Sequence, residues 1–152
     1  MNPSDNDKNN SPIFGFFTEV SIIENLTKNR MEKVLPDDMK ASHFSVLNHL
    51  VRLGKQESPA ELASAFQVAR PSMTNTLQKL EKKHYVTITP DPLDGRAKLV
   101  VITEQGKNIH QQAVIALSQG FGQLSEDLGP ELFASVLPAL QKIRQYMDEH
   151  RN

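Results

Sequence analysis

The chain contains no cysteine and no tryptophan. Without cysteine it can form no disulfide, no thiolate metal site and no thiol-based redox sensor of its own. No uninterrupted apolar run approaches the roughly 18 residues that a membrane-spanning helix needs. The first twelve residues are polar and lack the apolar segment of a signal peptide. We therefore expect a cytoplasmic protein that has no membrane partner.

A general basic surplus is also missing, because the formal net charge is -1. A nucleic-acid partner would therefore have to be bound through a local basic patch. Between Arg70 and Lys98, six basic residues stand against three acidic ones. This local excess is modest, but it has the sign that a nucleic acid requires. The length of 152 residues and the hydrophobic content of 38% suit one compact domain or one domain with a small appendage.

The most informative stretch begins at Ser58, which carries the start signature of a short helix over about 59–66. Serine is a favoured N-cap, Pro59 follows at the first helical position, and Glu61 completes a capping box. The next four residues predict a tight turn, in which we expect Val68 to be tucked into the core.

After this turn, another helix is predicted over about 71–83, and it begins at a proline. One face is apolar, and the other carries short hydrogen-bonding side chains. The apolar positions are Met73, Leu77 and Leu80, and the polar ones are Ser72, Asn75, Thr76 and Lys79, with Thr74 at the edge. An ordinary solvated face would favour Glu, Lys and Gln, which form helices more readily. Serine, threonine and asparagine favour contact with the edges of bases in a DNA groove.

A hairpin follows this helix. Residues 85–89 and 97–102 alternate in polarity as strands do, and PDPLDGR separates them. Asp94 and Gly95 supply the turn. The sequence thus predicts a winged helix-turn-helix: two short helices, a tight turn and a charged hairpin.

Apolar stripes at helical spacing flank this unit on both sides. Residues 1–12 show no periodicity and predict a disordered tail. A first helix is expected from Ile13 to about Leu35, and a second over about 39–53, ending at Gly54. Its inward positions are Phe44, Leu47, Leu50 and Val51. The fold class is therefore mainly α with a small β-hairpin.

Two long helices are predicted after the hairpin. Thr103 caps the first, in which Gly120 and Gly122 predict a bend. The second begins after Gly129 and carries Pro138 in its interior, where a proline should kink the helix because it removes a backbone hydrogen bond. The first helix of the chain begins with IFGFF, which is too apolar for a lone surface helix, so a partner should cover it.

The run from Pro59 onward resembles the winged helix of MarR-type bacterial transcription regulators. The resemblance rests on PAELASAFQVARPSMTNTLQKLEKKHYV and on DPLDGRAKLVVITEQG, with the wing motif at Asp94, Arg96, Ala97 and Lys98. The flanking helices resemble the family layout in pattern only. Three positions depart from the family: Gln67 replaces a glycine in the turn, Ala69 replaces a serine cap, and Gly95 stands where a further arginine is common. A glutamine at the turn would need a positive φ, or else the turn would differ slightly from that of the family.

The resemblance implies a homodimer in which residues 13–36 and 104–152 form the dimerisation region and residues 37–103 the winged DNA-binding domain. It places the helix from Pro71 in the major groove and Arg96 in the minor groove. The implied DNA-binding residues are Arg70, Pro71, Ser72, Thr74, Asn75, Thr76, Lys79, Asp94, Arg96 and Lys98. The expected dimer interface contains Ile13, Phe14, Phe17, Val136, Leu140, Ile143 and Met147.

Members of this family often bind small aromatic or phenolic effectors between the dimer helices and the winged domain. Phe17, His43 and Leu47 are the candidates for such a crevice here. The function expected is that of a sequence-specific DNA-binding transcription regulator, acting as a ligand-responsive repressor on a palindromic operator.

Two alternatives remain open. A winged helix can serve protein interaction or dimerisation without binding DNA. A metal-responsive regulator is the other, because Glu81 and His84 form a Glu-x-x-His pair that can ligate a metal from a helical bundle. The chain has no catalytic constellation and no cofactor-binding motif, so we expect neither an enzyme nor a cofactor.

Overall fold

The computed structural model describes residues 11–151. They form seven helices and one two-stranded hairpin. In chain order the elements are α1 (Pro12–Val34), α2 (Ala41–Leu53), α3 (Pro59–Ala65), α4 (Arg70–Lys82), β1 (Val86–Pro90), β2 (Lys98–Ile102), α5 (Glu104–Gly120), α6 (Gly122–Leu128) and α7 (Pro130–Glu149). The mainly helical class with one hairpin is confirmed. Most of the predicted disordered tail, residues 1–12, lies outside the described residues, and α1 already begins at Pro12.

The core lies where α2, α3 and α4 meet the hairpin and α5. Its fully buried large side chains are Val46, Leu47, Leu50, Leu62, Leu77, Leu80, Val86 and Val100. The apolar faces predicted for α2 and α4 are therefore largely confirmed. Two predictions of burial were wrong, because Val51 is 40% exposed and Val68 is 41% exposed. Val51 follows Leu50 by one residue on α2, and neighbouring helical positions point in different directions.

Glu57, which lies two residues before the start of α3, connects the hairpin to the rest of the domain. β1 and β2 pair antiparallel, from Val86 opposite Ile102 to Pro90 opposite Lys98. The backbone N–H of Val100 donates to the carbonyl of Glu57 at 2.8 Å, which adds an isolated bridge on the other side of β2.

Glu57 also has a buried carboxylate, which bonds His49 in α2. Glu57 Oε2 lies 2.6 Å from His49 Nε2, and Lys55 Nζ is 3.3 Å from Oε1. A buried carboxylate is costly unless it is paired in this way. The backbone and side chain of one residue thus join α2, α3 and the hairpin.

The start of α5 is seated against the base of the hairpin. Thr103 caps the helix as predicted, since its Oγ1 accepts from the N–H of Gly106 at 2.9 Å. A Cβ on Gly106 would collide with the carbonyl oxygen of Tyr85. Only glycine permits this approach, because the colliding atom belongs to the backbone and cannot rotate away.

The predicted bend at the glycine pair appears as an interruption of the helix. α5 ends at Gly120, Phe121 stands between, and α6 begins at Gly122. A Cβ on Gly120 would lie 3.1 Å from a methyl of Val34, so the glycine lets α5 pack closely on α1. In contrast, α7 continues through Pro138.

The two terminal helices leave their apolar faces uncovered. Among the described residues, neither α1 nor α7 contains a buried residue. Ile13 is 70% exposed, and Phe14, Val136 and Met147 are exposed as well. Within residues 11–151, no helix combines the length and the apolar character needed to cross a bilayer.

Candidate nucleic-acid interface

The turn between α3 and α4 holds one residue in a left-handed conformation. Gln67 has φ 51°, which confirms the positive φ expected from the absence of glycine there. Its side chain donates from Nε2 to the carbonyl of Ser64 at 2.7 Å, and the N–H of Val68 donates to Ala63 at 3.0 Å. These bonds offset a conformational cost of roughly 1–2 kcal/mol. They also fix the direction in which α4 leaves the turn.

α4 presents one face to the core and the other to solvent. Its N-cap is Ala69, which provides no side-chain hydrogen bond, as expected. Met73, Leu77 and Leu80 are buried. The predicted DNA-facing side chains lie on the opposite side: Arg70, Pro71, Ser72, Thr74, Asn75 and Lys79 are exposed, and Thr76 is half-buried.

The wing is held by the carboxylates of its own tip. Asp94 Oδ1 accepts from the N–H of Arg96 at 3.0 Å, and the Asp94 carbonyl accepts from Ala97 at 3.0 Å. The N–H of Asp91 donates to the Ala97 carbonyl at 3.0 Å and closes the loop. This turn leaves the side chain of Arg96 in solvent.

We call α4 the recognition helix. It shares a cleft with the wing. The cleft has a volume of about 330 Å³ and is lined by Ser58, Pro59, Ala60, Arg70, Thr74, Arg96, Ala97 and Lys98. Across residues 11–151, no carboxylate forms an ion pair with Arg70, Arg96 or Lys98. Three cations therefore border one cleft with their charges free to attract an anion.

A hydrogen bond also joins the recognition helix to the wing. Glu81 Oε2 accepts from the N–H of Ile88 in β1 at 2.9 Å. Because Glu81 lies in the last turn of α4, the wing cannot tilt far from the recognition helix without breaking it. Glu81 is engaged here rather than with His84, and the described residues contain no group of three His, Asp or Glu side chains placed to hold a metal ion.

The far end of α4 is fastened to the loop after α1. Asp37 Oδ2 accepts from the hydroxyl of Tyr85 at 2.5 Å and from Lys83 Nζ at 2.9 Å, while Lys83 Nζ also donates to the Asp37 carbonyl at 2.7 Å. We call these three residues the Asp37 clasp. Asp37 and Asp38 have positive φ values of 57° and 51°, which aspartate tolerates better than most residues.

The clasp shifts the pKa of both acids in it. The Tyr85 hydroxyl, and then Lys83, lower the pKa of the Asp37 carboxyl, while burial opposes them weakly. Burial, and then the bond to Asp37, raise the pKa of Tyr85 to about 12. Sequence reasoning missed the clasp, because its partners are 46 and 48 residues away from Asp37 in the chain.

The three effector candidates are not brought together. Phe17 lines a cavity of about 760 Å³, together with Phe16, Val20, Ala65, Gln67, Leu137, Leu140, Gln141, Ile143, Arg144, Met147, Asp148, His150 and Arg151. Leu47 is fully buried in the core and has no surface to offer a ligand. His43 is not among the lining residues. Burial, followed by the charges of Lys79, Lys83 and Lys40, lowers the pKa of His43.

The clasp predicts a dependence of stability on pH. At pH 7, Tyr85→Phe should lower the free energy of unfolding by about 1 kcal/mol, because it removes a hydrogen bond to a carboxylate that keeps Lys83. The folded-state pKa of Tyr85 is raised, so its contribution is complete below pH about 10 and is lost as pH rises towards 12. The folded-state pKa of Asp37 is lowered, so the contribution of Asp37 to the free energy of unfolding is complete above pH about 4 and is lost in acid.

Urea unfolding from pH 5 to 11 measures this difference, and Tyr146→Phe is the matched control. Tyr146 is the second of the two tyrosines, lies exposed on α7 and has no hydrogen bond from its hydroxyl to a described residue. The two variants should differ at pH 7, and the difference should begin to narrow above pH 10. Identical stability of both variants across the whole range would contradict the clasp.

Known proteins resemble this chain in sequence over the winged unit and in fold over most of its length. Residues 37–97 match the sequence profile of the MarR family. The chain is similar to Escherichia coli MarR in its apo crystal structure, with 26% identity, a TM-score of 0.72, and coverage of 83% of this chain and 94% of that one. A mutant of E. coli MarR crystallised with operator DNA gives 25% identity, a TM-score of 0.70, and coverage of 86% and 94%.

A transcriptional regulator from Thermotoga maritima gives 28% identity, a TM-score of 0.58, and coverage of 89% of this chain and 95% of that one. These likenesses extend over the terminal helices as well as the winged unit. Residues 37–97 therefore match the MarR family, and the chain over most of its length is similar in fold to MarR-type winged-helix transcription regulators.

Proposed function

We propose that this regulator is a ligand-responsive repressor that binds a palindromic operator as a homodimer. The observation that carries the proposal is the shared cleft, in which unpaired cations of the recognition helix and of the wing border one opening. One rigid surface thus offers side chains to the major groove and to the adjacent minor groove. The operator complex of the E. coli relative supports this reading.

Each predicted DNA-binding residue has a role in this arrangement. Ser72, Asn75 and Thr76 present hydroxyl and amide groups suited to base edges in the major groove. Arg70, Lys79 and Lys98 neutralise phosphates, which positions the helix without reading sequence. Pro71 and Thr74 border the same surface. Arg96 enters the minor groove, where a narrow A·T-rich stretch concentrates negative potential, and Asp94 holds the turn that presents it.

Homodimerisation would cover the exposed faces of α1 and α7. Exposed apolar patches this extensive mark an interaction surface. The predicted interface residues from Ile13 to Met147 all lie on these two helices, and Ile143 is the only half-buried one among them. A two-fold axis would set the two recognition helices against half-sites one duplex turn apart, about 34–36 Å.

The large cavity supports a response to a ligand. It lies among α1, α7 and the turn of the helix-turn-helix, and Gln67 in that turn borders it. A small aromatic or phenolic molecule would find an apolar lining from Phe16, Phe17 and Leu137. It would release DNA only if it binds the DNA-free arrangement more tightly than the bound one.

DNA binding through the wing is tested with Arg96→Ala. Fluorescence anisotropy would follow a duplex selected from genomic fragments that the wild type retains, over a salt series. We expect about tenfold weaker binding and a salt slope reduced by about one unit. Lys142→Ala, an exposed cation on α7, is the control that should change neither quantity.

Equal affinity of the wild type for the selected and a scrambled duplex would contradict sequence-specific binding. A reporter gene placed behind the bound site should be expressed less with the wild type than with Arg96→Ala. The opposite order would make the protein an activator.

The homodimer is tested with Leu140→Glu, which places a charge on the exposed apolar face of α7. Sedimentation should show a dimer for the wild type and mostly monomer for the variant, because a buried unpaired carboxylate is costly. Lys142→Glu changes charge two positions away, on the other side of the helix, and should stay dimeric. A monomeric wild type at micromolar concentration would exclude the proposal.

The ligand response is tested by adding a panel of small phenolic and aromatic acids to the operator complex. We expect at least one to lower the anisotropy. Ala65→Leu should abolish this effect while the variant still binds DNA, because Ala65 lines the cavity from the winged domain and the larger side chain would fill it. A response that survives this substitution would place the ligand elsewhere.

A further inference from the structure

The tip of the wing exposes a leucine. Leu93 is 96% exposed, the highest value among the exposed large apolar side chains of residues 11–151. Turns of this kind favour glycine, asparagine, aspartate and serine. Neither the core nor the turn explains a leucine at this position, since its side chain is almost wholly in solvent.

The backbone beneath Leu93 is nevertheless firmly held. Its N–H donates to Asp91 Oδ1 at 2.8 Å, while Asp91 itself is bonded to Ala97 across the loop. The following turn is fixed by Asp94, which accepts from Arg96. Leu93 therefore stands at a defined place, three residues before the arginine of the same tip.

Charge alone gives the wing little attraction for DNA. Residues 91–98 carry two carboxylates, Asp91 and Asp94, and two cations, Arg96 and Lys98. The position between Asp94 and Arg96 is Gly95, which adds no cation. If a tip of this composition is to bind a DNA groove tightly, part of its affinity must come from an interaction that does not depend on charge.

We propose that Leu93 enters the minor groove beside Arg96 and packs against its deoxyribose walls. The groove is about 6 Å wide and 7.5 Å deep, which accommodates the tip of a hairpin but not a helix. Apolar side chains are used in minor grooves by several classes of DNA-binding protein. Arg96 supplies the attraction to the groove, and Leu93 supplies apolar burial that salt does not screen.

This inference rests on the proposed placement of the wing in the minor groove. It goes further in assigning a salt-independent part of the affinity to one apolar side chain. Because Leu93 touches little of the protein, its substitution should leave folding unchanged, so a loss of binding reports on the contact itself.

The test compares Leu93→Ala, Leu93→Asn and Leu93→Met on the selected operator duplex by anisotropy over a salt series. We expect Leu93→Ala and Leu93→Asn to bind about fivefold more weakly at every salt concentration, with the salt slope of the wild type. Leu93→Met should retain most of the affinity, because it keeps the apolar volume. Thermal unfolding should be the same for all. Leu53→Ala, an exposed leucine at the end of α2, is the control that should bind as the wild type does.

A shortened duplex separates a DNA contact from a contact with a neighbouring protein. If the base pairs beneath the wings are removed, wild type and Leu93→Ala should bind equally. A fivefold difference that persists on the short duplex would overturn the minor-groove contact.

The placement of the wing in the minor groove and the role of Leu93 can be refuted separately. If Arg96→Ala binds as tightly as the wild type, the wing is not in the groove. If Arg96→Ala is weakened and Leu93→Ala is not, the wing placement stands and the role of Leu93 is refuted. A changed salt slope for Leu93→Ala would show that it acts through the cations and would also refute the inference.

Discussion

The seating of α4 in the core is the constraint on which the rest of the interface depends. Met73, Leu77 and Leu80 are buried in the same cluster as Leu62 of α3 and Val86 of β1. Burial of each large side chain is worth roughly 1.5–3 kcal/mol, far more than any single surface bond. Because that face is committed to the core, the rotation of α4 is fixed, and so is the set of polar side chains that points outward.

Hydrogen bonds and ion pairs then fix the relative positions of helices and hairpin that apolar packing does not determine. Hydrophobic packing is not directional, so it sets the depth of a helix better than the position of the neighbouring hairpin. Glu57 ties β2 to α2 and α3, Glu81 ties β1 to α4, and the Asp37 clasp ties the end of α4 to the loop after α1. A motion of α1 relative to the winged unit would therefore strain the clasp, together with the bond from the N–H of Ala41 to Glu32 of α1.

Much of this architecture could be predicted from local patterns. Caps, turn residues and apolar periodicity are short-range signals. They predicted both strands and the helices within a few residues, except that one predicted, bent helix is divided into α5 and α6. The positive φ of Gln67 followed from a side chain standing where a glycine is usual. The exposure of the polar face of α4 was predicted from its short polar side chains, which lie opposite an apolar stripe. The DNA contacts of those residues stay predictions.

What the sequence could not provide was pairing between distant residues. Nothing near Asp37 indicates that its partners are Lys83 and Tyr85, since side-chain pairing across such a separation leaves no periodic trace. The predicted burial of Val51 and Val68 was wrong for a related reason. Each lies next to a correctly predicted position, and one step along a helix or turn changes the direction of the side chain.

The uncovered faces of α1 and α7 have a consequence for how much protein a cell must hold. If a second chain covers them, the ordering of both helices follows mass action and improves with total concentration. A newly made, dilute chain would then expose apolar helices to proteases, whereas an abundant one would be protected. The amount of regulator present would in this way influence its own lifetime, before any ligand or operator is met.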